Sequence, residues 1–185
     1  MAGTASTPRV PLLERDQVAP EVASVYDALL KARGVVPNMF KTLAHTPALA
    51  LATAGYLKAL LSDGALAGSY KELIATRLAV LLGSEYAIKA HALSARQKGA
   101  SEVQIAAARG DYENGPFSEA EKLGFRSAER LHRSPAEITD EFFAALKQHF
   151  TDPQIVELVA TAAAFELFPR FVDALRIPVT PAPSR

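Results

Sequence analysis

The sequence of 185 residues contains no cysteine. This absence excludes disulfide bonds, thiolate metal ligands and every catalytic mechanism that depends on a thiol nucleophile. It does not identify a cellular compartment, because a protein without thiols is compatible with both oxidising and reducing surroundings. Localisation and chemistry must therefore be inferred from other features.

An excess of charge of one sign is also missing, since 20 Lys and Arg residues balance 20 Asp and Glu residues. The charges form no block of one sign, so neither nucleic acid nor an anionic membrane is expected as a partner. The most apolar segment, residues 155–172, is interrupted by Glu157, Glu166 and Arg170, which excludes a membrane-spanning helix. Residues 1–16 lack the basic and apolar regions of a secretory signal, so a cytoplasmic protein is expected.

Proline is absent between Pro47 and Pro116, a stretch rich in Ala, Leu, Lys and Glu, which favour helices. No segment shows the alternating β-branched pattern that is typical of strands. We therefore predict an all-α protein with one domain over residues 1–185. Its N-terminal helical half is expected at about 20–110, its C-terminal half at about 118–178, and an irregular proline-rich tail at 179–185.

Serine or threonine precedes several of the predicted helices as an N-cap: Ser69, Ser84, Ser101, Ser118 and Thr139. Glu72 lies three residues after Ser69, which is the spacing of a capping box. Gly83 separates two amphipathic segments and leaves room only for a short turn. The helices on either side of Gly83 are therefore predicted to pack antiparallel.

One short segment is repeated, since ELIAT at 72–76 recurs as ELVAT at 157–161, 85 residues later. Two interpretations stay open at this point. The match is either a coincidence between two Ala-rich helix starts, or the trace of a duplicated helical hairpin. In the second case the first copy keeps polar groups and the second copy serves as scaffold.

A set of polar residues follows the first copy of the repeat. Ser84, Ala87 and His91 are three and four residues apart, so they share one face of a helix. Glu72 in the preceding helix is predicted to form an acid/base pair with His91, because a carboxylate can fix the tautomer of an imidazole or accept its proton. With Ser84 and Tyr86 as hydroxyl donors, the predicted catalytic residues are Glu72, His91, Ser84 and Tyr86.

A structural interpretation of the same residues also stays open. In this interpretation Glu72 completes the capping box of Ser69, Ser84 caps its own helix, and His91 bonds to a backbone carbonyl. Arg77, in the same helix as Glu72, is predicted either to bind a substrate carboxylate or to pair with Glu72. The remaining histidines lack metal-ligand spacing, so neither a metal nor a cofactor is expected: His45, His132 and His149.

Glu72, the segment GSEYAIKAH at 83–91 and the segment ALSARQKGASEVQI at 92–105 resemble the core motif of the carboxymuconolactone decarboxylase and alkylhydroperoxidase D-like superfamily. The flanking segments at 36–49 and 165–178 also resemble those of its longer members, so the resemblance covers about 20–178. It implies an alkylhydroperoxidase D-like helical bundle, here with an internally repeated hairpin. Glu72 and His91 match the glutamate and the histidine of the motif.

The resemblance also implies what the chain has lost. Ser84 and Ala87 stand where the peroxidase branch has its two cysteines, and neither a hydroxyl nor a methyl group can replace a thiolate. The decarboxylase branch implies acid/base handling of a small anionic lactone. There either Arg77 or the N-terminus of the helix that follows Ser84 is expected to hold the anion, and the small Ala87 leaves room for the substrate.

Two functional hypotheses follow. The first is a cofactor-free acid/base enzyme, a decarboxylase or a lyase acting on a lactone or carbonyl, with a small anionic substrate. The alternative is a relative of the peroxidases that lacks the redox cysteines and acts as a binding or structural oligomer. A homo-oligomer (dimer, trimer or hexamer) is expected in either case, because the Phe-rich C-terminal half offers more apolar surface than a small domain buries.

Overall fold

The computed structural model describes residues 7–182, and all regular structure in this range is helical. It contains nine α-helices and two short 3-10 turns, at Arg15–Gln17 and Pro135–Glu137, and no β-strand within 7–182. The helices are α1 Pro20–Arg33, α2 Asn38–Leu43, α3 Pro47–Leu61, α4 Gly68–Leu81, α5 Glu85–Gln97, α6 Glu102–Arg109, α7 Glu119–Arg133, α8 Asp140–His149 and α9 Asp152–Ala174. The all-α prediction is confirmed.

The chain divides into two compact units. The first unit contains the residues up to Ala59 and those from Arg170 onward, and the second is Leu60–Pro169. All of α4 to α8 lies in the second unit, as do all of the residues predicted to be catalytic. Across residues 7–182, no helix combines the length and the apolar character needed to cross a bilayer.

Helix α1 of the first unit has clear start and end signals in the sequence. Pro20 is the first residue of α1, and Gly34 ends that helix in a left-handed conformation with φ of 73°. The irregular segment after α9 is held by Asn38, whose backbone N–H donates to Thr180 Oγ1 (3.0 Å) and whose side-chain amide donates to the Pro178 carbonyl (3.0 Å). The C-terminal segment up to residue 182 therefore lies against its own unit.

In the second unit, α4 and α5 form an antiparallel hairpin. Glu72, in the first half of α4, contacts His91 in the middle of α5 and Lys98 just beyond its end, as an antiparallel arrangement requires. The turn between the two helices places Gly83 at φ of 68°. The predicted break and the predicted packing are both confirmed.

Substitution of Gly83 by alanine is expected to lower the free energy of unfolding by about 1–2 kcal/mol, the cost of a left-handed residue with a Cβ. An added Cβ meets no atom within 4 Å, so the backbone conformation is the cause of the loss. Gly55 within α3 has the same open surroundings, and Gly55→Ala is expected to stabilise by about 0.5–1 kcal/mol. Urea unfolding of both variants measures the contrast, and stabilisation by Gly83→Ala would contradict the turn.

Three of the predicted N-caps are confirmed. Ser101 accepts a hydrogen bond from the backbone N–H of Gln104 (3.2 Å), and Ser118 accepts one from that of Glu121 (3.2 Å), each within a complete capping box. Thr139 accepts a bond from the N–H of Phe142 (3.3 Å). These caps depend on neighbours in sequence only, which explains why the sequence predicts them.

The prediction that Ser69 caps α4 is wrong. The N-cap position lies two residues earlier, at Ala67, so the helix begins at Gly68 and has no side-chain cap. Asp63 Oδ1 instead accepts a hydrogen bond from the Gly68 N–H (2.8 Å). Ser84 does occupy the N-cap position of α5, but its side chain makes no capping bond. Glu72 is thereby left out of a capping box.

The repeated segment has the same local contacts in both copies. Thr76 donates from Oγ1 to the carbonyl of Glu72 (2.8 Å), and Thr161 donates in the same way to the carbonyl of Glu157 (2.7 Å). However, α9 continues through Phe168, the position that matches Gly83. The two copies therefore share a helix start, whereas the turn occurs in the first copy.

Part of α9 exposes apolar side chains. Val156 is 67% exposed and Leu167 is 59% exposed, although most large apolar residues of the second unit are buried. Side chains of this kind are frequent at protein interfaces. The homo-oligomer nevertheless stays a prediction.

Candidate functional site

Glu72 lies at the centre of a buried polar network. Its side chain is 1% exposed and both of its carboxylate oxygens are bonded. Oε2 lies 2.7 Å from His91 Nδ1, and Oε1 accepts a hydrogen bond from Lys98 Nζ at 2.6 Å. The contact between Glu72 and His91, which the sequence predicted, is present.

The surroundings of Glu72 decide its charge. Burial raises the pKa of this carboxyl, but the hydrogen bond and the charge of His91, together with those of Lys98, lower it by more, from 4.5 to about 2. Glu72 is therefore ionised at neutral pH. An ionised carboxylate can only accept hydrogen bonds, so His91 Nδ1 must carry the hydrogen.

His91 is fixed on two sides. Its Nδ1 is held by Glu72, and its ring packs against the Phe165 ring with centroids 4.3 Å apart and planes at 74°. The side chain is 13% exposed. Because Nδ1 is occupied, Nε2 is the ring nitrogen left for contact with another molecule, and it carries a lone pair whenever the imidazole is neutral.

Lys98 is the third member of this network, and the sequence analysis missed it. It is the C-cap residue of α5, and its ammonium donates to Glu72 Oε1 and to the Leu61 carbonyl (2.7 Å). A signal was present in the sequence. The three- and four-residue spacing that joins Ser84, Ala87 and His91 continues through Ser94 to Lys98. We call Glu72, His91 and Lys98, with Phe165, the Glu72 network.

The other predicted site residues lie at the N-terminal end of α5. Ser84, Tyr86 and Ala87 are all buried. Their catalytic and substrate-binding roles stay predictions.

Arg77 lies outside the Glu72 network. Its guanidinium pairs with Glu129 (2.7 Å), donates to the Gly110 carbonyl (3.0 Å) and lies 5.2 Å from the centre of the Tyr112 ring. The predicted pairing with Glu72 is therefore wrong. The partners of Arg77 lie in α7 and at the end of α6, and only the tertiary fold brings them close to it. These contacts lend no support to a role in binding substrate.

The glutamate of the second repeat has a structural role beside the network. Glu157 accepts a hydrogen bond from the buried ammonium of Lys71 (2.8 Å) and from the backbone N–H groups of Ala65 (2.9 Å) and Leu66 (3.0 Å). It thereby fixes the loop that leads into α4. Since Lys71 precedes Glu72 in the chain, this anchor also positions the start of the helix that carries Glu72.

Two further observations concern metal binding and surface cavities. Among residues 7–182, no group of three or more His, Asp or Glu side chains is arranged to hold a metal ion. A surface depression is lined by residues 147–152, and these include no member of the Glu72 network. The Glu72 network is therefore the group of side chains on which a functional hypothesis can be built.

Comparison with known proteins gives a match to a family model and a set of solved structures with a similar fold. Residues 47–129 match the model of the carboxymuconolactone decarboxylase family, and this segment contains Glu72, His91 and Lys98. No curated protein matches the sequence.

Solved structures resemble the chain over nearly its full length. They include an alkylhydroperoxidase AhpD core, an uncharacterized peroxidase-related protein from Ralstonia eutropha JMP134, with 24% identity, a TM-score of 0.85 and coverage of 94% of this chain and 93% of that one. An uncharacterized peroxidase-related protein from Silicibacter sp. TM1040 has 22% identity, a TM-score of 0.86 and coverage of 98% and 96%. The debrominase Bmp8, in complex with 2,3,4-tribromopyrrole, has 23% identity, a TM-score of 0.83 and coverage of 98% and 96%. At these identities the likeness shows the fold.

Proposed function

Since residues 47–129 belong to the carboxymuconolactone decarboxylase family, we propose that the chain is a cofactor-free acid/base enzyme acting on a small anionic organic substrate. His91 is the residue that takes and returns the proton. Glu72 holds His91 in the required tautomer, and the reaction is proton transfer at a carbon next to a carbonyl or lactone group.

One observation carries this proposal: His91 Nδ1 lies 2.7 Å from Oε2 of the buried Glu72 carboxylate, whose pKa is lowered to about 2. A carboxylate with so low a pKa is a weak base at neutral pH, so Glu72 acts as a positioning residue. Imidazole is the side chain that exchanges protons most readily in this pH range. Of the two roles that the sequence analysis left open for Glu72, fixing the tautomer of His91 or accepting its proton, the first is proposed here.

The proposed proton transfer proceeds through an enolate. His91 Nε2 takes the proton of an acidic C–H bond, and the electron pair of that bond moves to the carbonyl oxygen as an enolate. Return of the proton to carbon restores the carbonyl. In a decarboxylation, the bond to the carboxylate breaks instead, carbon dioxide leaves with the electron pair staying on carbon, and protonated His91 supplies the proton.

Thiol chemistry is excluded for this chain, although peroxidase-related proteins share its fold. The full sequence has no cysteine, so neither a sulfenate nor a disulfide can form. The second candidate function is a binding or structural oligomer. It is favoured by the near-complete burial of Glu72, because fully bonded buried networks also occur as purely structural features.

An exchange experiment in heavy water tests the proposed function. Pyruvate, levulinate and γ-butyrolactone γ-carboxylate are incubated with the protein in D₂O, and the loss of the C–H signals next to the carbonyl is followed by proton NMR. The enzyme is expected to accelerate exchange in one or more of these compounds above the rate in buffer. Exchange at the buffer rate in all of them, and in their next higher homologues, would favour the structural function.

A further inference from the structure

We propose that Lys98 is the residue that recognises the substrate's negative charge, through a hydrogen bond from its ammonium to a carboxylate of the ligand. This inference rests on the proposed function, which it deepens by assigning the anion-binding group. The sequence analysis had assigned that task to Arg77 or to the N-terminus of α5, and the Arg77 guanidinium is instead engaged with Glu129 and the Gly110 carbonyl.

The hydrogen-bonding capacity of Lys98 supports the assignment. An ammonium group has three N–H donors and no acceptor. Two of these donors are directed to Glu72 Oε1 and to the Leu61 carbonyl. These two bonds hold the ammonium in place and leave the third donor for a ligand, so little conformational freedom is lost when an anion binds.

The exposure of the network places Lys98 at its accessible end. The Glu72 side chain is 1% exposed and that of His91 is 13% exposed, whereas that of Lys98 is 33% exposed. An approaching ligand therefore meets the ammonium before the carboxylate that balances it.

The charge of the network also changes in the direction that the reaction needs. With His91 neutral, Lys98 and Glu72 balance one another. When His91 takes a proton from carbon, the network gains one positive charge as the bound substrate gains one negative charge on its enolate oxygen. Lys98 and His91 contact different oxygens of the Glu72 carboxylate, so both groups lie beside the same buried charge.

Binding measurements with matched anionic and neutral ligands test the inference. Levulinate and γ-butyrolactone γ-carboxylate are each compared with their methyl esters by isothermal titration at constant ionic strength. The wild-type protein is expected to bind a carboxylate about 10-fold to 100-fold more tightly than its ester, the range for a hydrogen bond between charged groups. Lys98→Met is expected to abolish this preference and to leave ester binding unchanged, and Lys98→Arg is expected to keep much of it.

Lys89 provides the matched control. It lies in the same helix, is 59% exposed and pairs with Glu85 (2.6 Å), outside the Glu72 network. Lys89→Met is expected to keep the wild-type preference. If Lys98→Met does not fold, as judged by circular dichroism, Lys98→Gln takes its place. A preference that survives loss of the Lys98 ammonium, or a wild-type protein with no preference for either carboxylate, would overturn the inference.

The outcomes separate this inference from the proposed function. Exchange in D₂O without a preference that depends on Lys98 refutes the inference alone. A preference that depends on Lys98 without any exchange supports the inference and refutes proton transfer. His91→Asn is expected to keep the preference for carboxylates while it loses exchange, because the ammonium of Lys98 stays bonded to Glu72.

Discussion

Replacement of His91 by asparagine is expected to lower the rate of proton exchange by about 100-fold to 10,000-fold, the contribution that a well-placed general base makes. The asparagine amide can still donate to Glu72 from a position near that of Nδ1, so the buried carboxylate keeps a partner. It cannot take up a proton near neutral pH. The loss is therefore expected in the catalytic rate constant, with the affinity for carboxylates nearly unchanged.

His132 offers a matched control for this substitution. Its Nδ1 lies 2.7 Å from Glu166 Oε1, so it has the same kind of carboxylate partner, outside the Glu72 network. His132→Asn is expected to keep the wild-type exchange rate. The assay is proton NMR in D₂O on folded protein, and equal losses in the two variants would show that His91 has no special role.

The second large effect concerns stability and pH. Glu72→Gln is expected to lower the free energy of unfolding by about 3 kcal/mol at pH 6, which is the linkage energy of a carboxyl whose pKa falls from 4.5 to about 2 on folding. Glutamine has nearly the same shape as glutamate and lacks the charge. The variant therefore measures how much the negative charge of Glu72, bonded to Lys98 and His91, contributes to the free energy of unfolding.

The sign of the pH dependence follows from the lowered pKa. Because the folded protein holds Glu72 ionised more strongly than the unfolded chain does, this stabilisation is complete above pH 4.5 and is lost as the pH falls toward 2. The difference between the wild type and Glu72→Gln is expected to shrink to about half of that value at pH 3. Urea unfolding at pH 6 and pH 3, at constant ionic strength, gives both values.

Glu85 is the control carboxylate, since its ion pair with Lys89 is exposed on the surface of α5. Surface pairs of this kind contribute little to stability. Glu85→Gln is therefore expected to change the free energy of unfolding only slightly at either pH. A difference between the wild type and Glu72→Gln that stays constant from pH 6 to pH 3 would mean that Glu72 is not held ionised by its partners.

The sequence predicted the helices and several of their ends because these depend on local chemistry. Ser101, Ser118 and Thr139 cap their helices through atoms three residues away, and Gly83 adopts a conformation that favours glycine in any fold. Ser69 shows the limit of such reasoning. Its spacing to Glu72 fits a capping box, but the N-cap position lies two residues earlier, at Ala67.

The candidate site was predicted in part, because one helix face could be read from spacing whereas partners in other helices could not. Glu72 and His91 were paired by assuming an antiparallel hairpin, and the contact is present. Arg77 was placed wrongly because Glu129, 52 residues further along the chain, is its partner. Lys98 continues the spacing of His91, but its contact with Glu72 depends on how the end of α5 packs against α4, which local spacing does not determine.

The most direct test of the central claim is to determine which ring nitrogen of His91 carries the hydrogen. Long-range ¹⁵N–¹H NMR of the histidine side chains gives this tautomer at a pH where the ring is neutral. Donation to ionised Glu72 requires the hydrogen on Nδ1 and a lone pair on Nε2, and Glu72→Gln is expected to remove this strict preference. A neutral His91 with its hydrogen on Nε2 and a bare Nδ1 would contradict the account, because Nε2 would then have no lone pair to accept a proton.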